Sequence, residues 1–192
     1  KLYKVSKKNS LLLELGVGRG GDLNRWRYAK YSFVLGIDSI KSALEDKNSG
    51  ACSRYINYKK RYGENQPNSI FVWGDASHNL DIDDAVGKDS QNIYILDVLF
   101  GRISVDKIDN KILKEYSGIC SDGFDVISSQ FSLHYLLKNK ESVYQNLSNY
   151  LKQGGYFIGT LFDGQQIFNK LYNLKKGEFI SQKIGNQIIW KI

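Results

Sequence analysis

The sequence contains no methionine, one proline, two histidines and two cysteines among its 192 residues. None of its apolar runs nears the roughly 20 residues that a membrane-spanning helix needs. Cys52 and Cys120 stand in unrelated contexts and form no metal-spacing pair. Two isolated thiols of this kind fit a reducing compartment such as the cytoplasm, and no metal is expected. There is no internal repeat and no low-complexity tract. The missing methionine, absent even from the first position, predicts one domain over residues 1–192 that is a segment of a larger polypeptide, truncated at both ends.

What is present is globular in character, with 42% apolar and 13% aromatic residues. The length suffices for one core burying roughly 70% of the unfolded surface. A net charge of +7 fits a polyanionic partner such as nucleic acid, although an A/T-rich genome also yields many lysines and the thirteen tyrosines.

Apolar runs bounded by glycine predict strands at 11–15, 32–38, 69–75, 123–129 and 156–162. Helices are expected at 22–29, across 39–62 with a break near 48–50, at 141–151 ended by Gly154-Gly155, and at 165–174. Residues 76–118, with the apolar patch "IYILDVLFG", read as irregular structure against the sheet. "FISQKIGNQIIWKI" alternates about Gly185-Asn186 as a terminal hairpin does. Strands alternating with helices give an α/β fold, a doubly wound, mostly parallel sheet.

"LLLELGVGRGGDLNRW", residues 11–26, carries the chemistry. Its glycines follow the first strand, at the sheet edge where doubly wound folds bind ligands. They permit positive φ and let a ligand touch the main chain. Asp38 closes the second strand about twenty residues on, where a carboxylate accepts ribose hydroxyls. Asp75, or the backbone near Ala76, closes the third, where an adenine amino group lies. Nicotinamide nucleotides and S-adenosylmethionine both fit this adenosine pattern, and charge separates them. A pyrophosphate wants a helix N-terminus free of carboxylates. Glu14 and Asp22 flank the glycines and favour the cationic methyl donor.

"LELGVGRGGDLNRW", "VLGID", "GACSRY", "FVWGDAS", "FDVISSQFSLHY" and "LKQGGYFIGTLFDG" together resemble mRNA cap guanine-N7 methyltransferases. The version is the domain of large viral capping enzymes, of the giant DNA virus and poxvirus type. The resemblance implies a class I (Rossmann-like) methyltransferase that moves the methyl of S-adenosylmethionine to N7 of the RNA cap guanosine, leaving S-adenosylhomocysteine. Glu14, Gly16, Gly18 and Asp22 would surround the donor's methionine part, Asp38 the ribose, Asp75 and Ala76 the adenine. Ser129 and Gln130 would line the donor from the opposite side. Phe131, His134 and Tyr135 would position donor and guanine, with His134 and Tyr135 as the cap wall. Arg25 and Arg54 match positions that approach the cap phosphates. No residue is expected to act as acid or base.

The resemblance also implies capped RNA as partner, other capping domains or subunits, and a cytoplasmic setting, a virus factory or virion if viral. It differs at Glu14, where aspartate is usual, and at Arg19, where lysine is frequent. The alternatives are a methyltransferase for another RNA position or a small molecule, and a non-catalytic module of a capping complex. Trp26 and Trp73 are expected to pack, His78 to be solvated, and Lys4, Lys7 and Lys8 to form a solvated end. Cys52 and Cys120 are expected to be ordinary thiols.

Overall fold

The computed structural model describes residues 2–81, 84–87, 89–185 and 187–191, without the side chains of Tyr3, Trp190 and Lys191. The chain divides into two compact units, Lys1–Thr160 and Leu161–Ile192.

The first unit contains, in chain order, α1 (Leu2–Val5), β1 (Leu11–Leu15), α2 (Leu23–Ala29), β2 (Phe33–Asp38), α3 (Lys41–Glu45), α4 (Ala51–Tyr62) and β3 (Asn68–Trp73). These are followed by α5 (Ser90–Leu99), α6 (Lys111–Lys114), β4 (Phe124–Gln130), α7 (Leu133–Leu136), α8 (Lys140–Tyr150) and β5 (Leu151–Thr160). The strands form one parallel sheet in the order β3-β2-β1-β4-β5. Chain order therefore reverses between β1 and β4, which opens a crevice at the strands' carboxyl ends.

Register explains the two-sided core. Leu12 stands opposite Val34 and Val126, and these side chains face α2, α3 and α4 with Leu23, Trp26, Leu44 and Ala51. Leu13 stands opposite Leu35 and Ile127, and these face the other layer with Leu96, Leu99 and Tyr150. Both faces of every central strand are covered, which is why β1 and β2 read as continuous apolar runs.

The expected break at 48–50 is real: α3 ends at Glu45 and α4 starts at Ala51. Residues 76–118 are less irregular than their sequence implies, because "IYILDVL" lies in α5. Its Leu96, Val98 and Leu99 are buried on more than one side, which removes the amphipathic period. The glycines Gly154-Gly155 do not stop α8. That helix ends at Tyr150, and both glycines fall inside β5, where the pairing with β4 is irregular between Phe124 and Val126. The amino-terminal segment is not wholly solvated: Leu2–Val5 is helical and Leu2 is buried, whereas Lys4, Lys7 and Lys8 are exposed.

The second unit holds α9 (Gly164–Leu171) and an antiparallel pair, β6 (Ser181–Ile184) with β7 (Gln187–Lys191). This is the expected hairpin. Asn186 of its turn lies outside the described residues.

Candidate active site

β1 delivers the chain to Gly16, whose φ of +76° turns the backbone away from the sheet. A methyl group there would run into the Ser132 side chain. The Gly16 and Val17 amides donate to the Ile37 carbonyl at 2.8 and 3.1 Å, so the loop is fastened to the end of β2. Gly18, also at positive φ, donates its amide to Asp38 Oδ2 at 2.7 Å, and the Ile40 amide donates to Oδ1 at 2.9 Å. Asp38 thus locks the glycine loop to the loop after its own strand. Each oxygen keeps lone pairs for a further donor.

A cavity of about 350 Å³ opens beside it, lined by Gly16, Asp38, Ile40, Asp75, Ala76, Ser132, Tyr135 and Lys138, with neighbouring backbone. Asp75 is engaged on both oxygens. Oδ1 accepts from the Ser77 amide and hydroxyl at 3.0 and 2.7 Å, and Oδ2 accepts from Lys138 Nζ at 2.8 Å. Burial opposes ionisation of Asp75, but the Lys138 and Ser77 hydrogen bonds outweigh it and hold the carboxyl below its usual range.

A second cavity of about 240 Å³ is lined by Leu2, Asp22, Arg25, Gln130, Phe131 and Thr160. Asp22 is buried at the start of α2 and ion-paired with the exposed Arg25. Its Oδ2 has no hydrogen-bond donor among the described residues. Glu14, buried in β1, accepts from Trp26 Nε1 at 2.7 Å. Burial first, and the Asp22 charge second, push the Glu14 carboxyl well above the usual range. A proton on Glu14 would serve Asp22 Oδ2, which has no other donor among the described residues.

Two acids buried together are relieved by a proton on Glu14 or by a cation, and Arg25 already meets one oxygen of Asp22. The folded-state pKa of Glu14 lies above its unfolded value. Its stabilising contribution is therefore fully present below the unfolded value and is lost as pH rises through the raised one. Glu14→Gln keeps the Trp26 bond and supplies a permanent N–H to Asp22. The variant is expected to be more stable than the parent by about 1–3 kcal/mol at pH 8, with the gap closing toward pH 5, in urea melts. Its affinity for a cationic ligand is expected to fall.

Phe131 follows β4 directly at φ +56°, with its amide donating to the Thr160 carbonyl and hydroxyl at 3.1 and 2.9 Å. An L-residue held there is strained and persists because the surrounding bonds fix it. Its ring is 62% exposed, and that of Tyr135, on α7, is 69% exposed. His134 and Tyr135 have ring centroids 4.0 Å apart. The Ser129 hydroxyl is buried and hydrogen-bonded at 2.8 Å to that of Ser132, which also donates to the Leu15 carbonyl at 2.8 Å. Gln130 Nε2 donates to the Ser128 hydroxyl and the Ile158 carbonyl. Arg54 donates to the Arg19 carbonyl of the glycine loop at 2.6 Å.

The sequence-derived residues thus fall on two cavities. Gly16, Asp38, Asp75, Ala76 and Tyr135 line one, and Asp22, Arg25, Gln130 and Phe131 line the other. Glu14, Gly18, Ser129, His134 and Arg54 line neither and stand behind or beside them. Sequence reasoning missed Ser132 and Lys138. Ser132 lies inside "FDVISSQFSLHY" but takes no role there, and Lys138 stands three residues beyond it with no motif of its own. Trp26 packs as expected, whereas His78 is not merely solvated: its ring lies 3.2 Å from Asp84 and 4.0 Å from Asp75. Among the described residues no cluster of three or more His, Cys, Asp or Glu forms a metal site.

The chain is similar to known proteins over nearly its whole length. Residues 2–192 match the mRNA (guanine-N(7))-methyltransferase domain. A probable mRNA-capping enzyme of Acanthamoeba polyphaga mimivirus is 33% identical over 177 residues, covering 88% of this chain and 13% of the relative. The mRNA cap guanine-N(7) methyltransferase 1 of Arabidopsis thaliana is 28% identical, covering 96% of this chain and 40% of the relative. The Saccharomyces cerevisiae mRNA cap guanine-N(7) methyltransferase is also 28% identical, with coverages of 96% and 34%. The chain spans well under half the length of each of these three. The crystal structure of the YcgJ protein of Bacillus subtilis shares the fold, with a TM-score of 0.51 at 14% identity, covering 90% of this chain and 53% of that one. With a class I methyltransferase sheet and a family match over nearly its whole length, the chain belongs to the mRNA (guanine-N(7))-methyltransferase family.

Proposed function

We propose that this chain transfers the methyl group of S-adenosylmethionine to N7 of the guanosine cap of RNA, as the methyltransferase domain of a larger capping protein. The observation that carries the reading is the pair of buried acids, Glu14 and Asp22, of which Asp22 has an orphaned oxygen and lines a cavity together with the exposed Phe131. A buried acid pair repels a pyrophosphate and fits the ammonium and sulfonium of the methyl donor.

In this reading Asp38 binds the ribose with the lone pairs left over from Gly18 and Ile40. Asp75 and the Ala76 backbone meet the adenine, and Lys138 holds Asp75 in place. Glu14, Gly16, Gly18 and Asp22 surround the methionine part, while Ser129 and Gln130 support the opposite wall. Tyr135, with His134 against it, stacks on the guanine, and Phe131 separates base from donor. Arg25 and Arg54 offer planar donors to the cap phosphates. When bound, the donor supplies an electrophilic methyl on a positive sulfur.

Guanine N7 carries a free lone pair at neutral pH, so no side chain has to remove a proton. The residues orient the base and exclude water, and positioning alone yields up to about 7–11 kcal/mol of barrier reduction. Capped RNA is then the substrate, and further capping domains are the expected neighbours. Among the described residues no helix is long and apolar enough to cross a membrane, and the setting proposed is cytoplasmic. The test is methylation with labelled donor and RNA bearing an unmethylated cap. Label is expected in N7-methylguanosine after nuclease digestion. Label elsewhere, or none with donor bound, would favour the alternatives of another RNA position or a non-catalytic module.

A further inference from the structure

A basic surface that the methyl-transfer chemistry does not use lies on the sheet face covered by α2 and α4. Both helices start beside the glycine loop, where Gly20 packs on Ala51, and both run toward the amino ends of the strands. At 1.5 Å per residue the twelve residues of α4 cover about 18 Å. Arg54 sits in its first turn, bonded to Arg19 of the loop. Tyr58, Lys59, Arg61 and Tyr62 occupy its last turns.

There the Arg27 guanidinium lies 4.3 Å from the centroid of Tyr28 and 4.1 Å from that of Tyr62. Arg61 lies 5.3 Å from Tyr62, whose ring is 5.7 Å from Tyr58. A cavity of about 420 Å³ adjoins this stack and is lined by Lys8, Arg27, Lys30, Tyr28 and Tyr31, with Asn9, Asn65 and Glu64.

The charges do not balance locally. Glu64 is the one carboxylate lining this cavity among the described residues, and it is paired with Lys59 at 3.5 Å. Arg27 donates to Asn24 at 3.3 Å, yet its Nε is buried without a hydrogen-bond partner, and no carboxylate pairs with it among the described residues. A half-buried cation without a counter-anion is costly, and ring faces offset only part of that cost. An anion from outside completes the arrangement. Cations alternate with tyrosine rings, and Tyr28 is 66% exposed. Alternation of this kind suits a strand carrying both phosphates and bases, because bases stack on aromatic side chains while arginines meet the backbone. An acidic peptide would use the cations and leave the rings idle.

We infer that the outer surface of α2 and α4, from Arg54 down to the Arg27 cavity, binds single-stranded RNA downstream of the cap. The inference rests on the cap reading above, since Arg54 joins the two surfaces. Fluorescence anisotropy on this chain tests it, using an unmethylated cap dinucleotide, a capped 15-nucleotide RNA and the same RNA uncapped. Affinity is expected to rise at least about tenfold from dinucleotide to 15-mer, and the uncapped 15-mer keeps most of that gain. R27Q/R61Q is expected to abolish the gain and to reduce the log–log salt slope by about 1.4, the value for two single-strand phosphates. Dinucleotide and S-adenosylhomocysteine affinities should stay within about twofold.

R61Q alone, at an exposed position, is expected to lower the slope by about 0.7 without touching the fold. Affinity independent of RNA length, a double variant that keeps the gain, or displacement of the 15-mer by poly-glutamate more readily than by unlabelled RNA would overturn the inference. If the dinucleotide fails to bind while the 15-mer still depends on Arg27 and Arg61, the cap reading falls and the RNA surface stands.

Discussion

Tyr135→Ala is expected to lower kcat/KM for capped RNA roughly 5- to 150-fold, the equivalent of the 1–3 kcal/mol that stacking on one aromatic is worth. The ring is 69% exposed on α7 and touches His134, so its removal leaves no large core cavity and the fold should survive. Tyr135 also lines the cavity of Asp38 and Asp75, and donor affinity should therefore drop as well, by a few-fold. The two effects separate cleanly in kinetics with donor and RNA varied independently. Tyr135→Phe keeps the ring and is expected to retain most activity. Full activity in Tyr135→Ala would remove this residue from the cap wall.

Asp38→Ala is expected to act on the other substrate. The change removes the acceptor of the Gly18 and Ile40 amides at 2.7 and 2.9 Å, and with it the anchor of the glycine loop. Hydrogen bonds to a charged acceptor are worth about 1.5–3 kcal/mol each, so a stability loss of roughly 3–6 kcal/mol for the two is expected in urea melts. Donor affinity should fall by about a hundredfold or more, because loop geometry and the ribose acceptors vanish together. Asp38→Asn retains one acceptor oxygen but presents an NH₂ to the other amide, and about half the loss is expected. Loss of RNA turnover with donor affinity intact would contradict the ribose assignment.

The strand-end acids were legible because each lies where an apolar run stops, Asp38 directly at the end of its run and Asp75 one glycine beyond its own. β1 and β2 are covered on both faces, which leaves a largely apolar signal that stops at Leu15 and Asp38, while the edge strand β3 keeps the shorter apolar run at residues 70–73. α5 was not legible for the same physical reason in reverse. With Asn92, Leu96, Val98 and Leu99 all buried, and Asn92 Oδ1 accepting the Trp73 amide at 3.0 Å, its residues show no polar face to mark a helical period. Gly154-Gly155 has the composition of a helix stop, yet tertiary pairing with β4 draws the chain into the strand from Leu151 onward. Lys138 and Ser132 escaped because their roles depend on where α7 folds back. One reaches Asp75 from 63 positions away, the other the Leu15 carbonyl from 117. The pairing of Glu14 with Asp22 was visible as two acids around a glycine loop. Their shared burial, which raises the Glu14 carboxyl above its usual range, was not.

The central claim is that this acid-flanked crevice takes a cationic sulfur nucleoside and not a dinucleotide. Calorimetric titration of this chain with S-adenosylmethionine and, separately, with NAD⁺ at neutral pH tests it most directly. Binding of the sulfonium compound at least about tenfold tighter, a difference of about 1.4 kcal/mol, is the predicted result. Equal or tighter binding of NAD⁺, or heat from neither ligand in a folded sample, would contradict it.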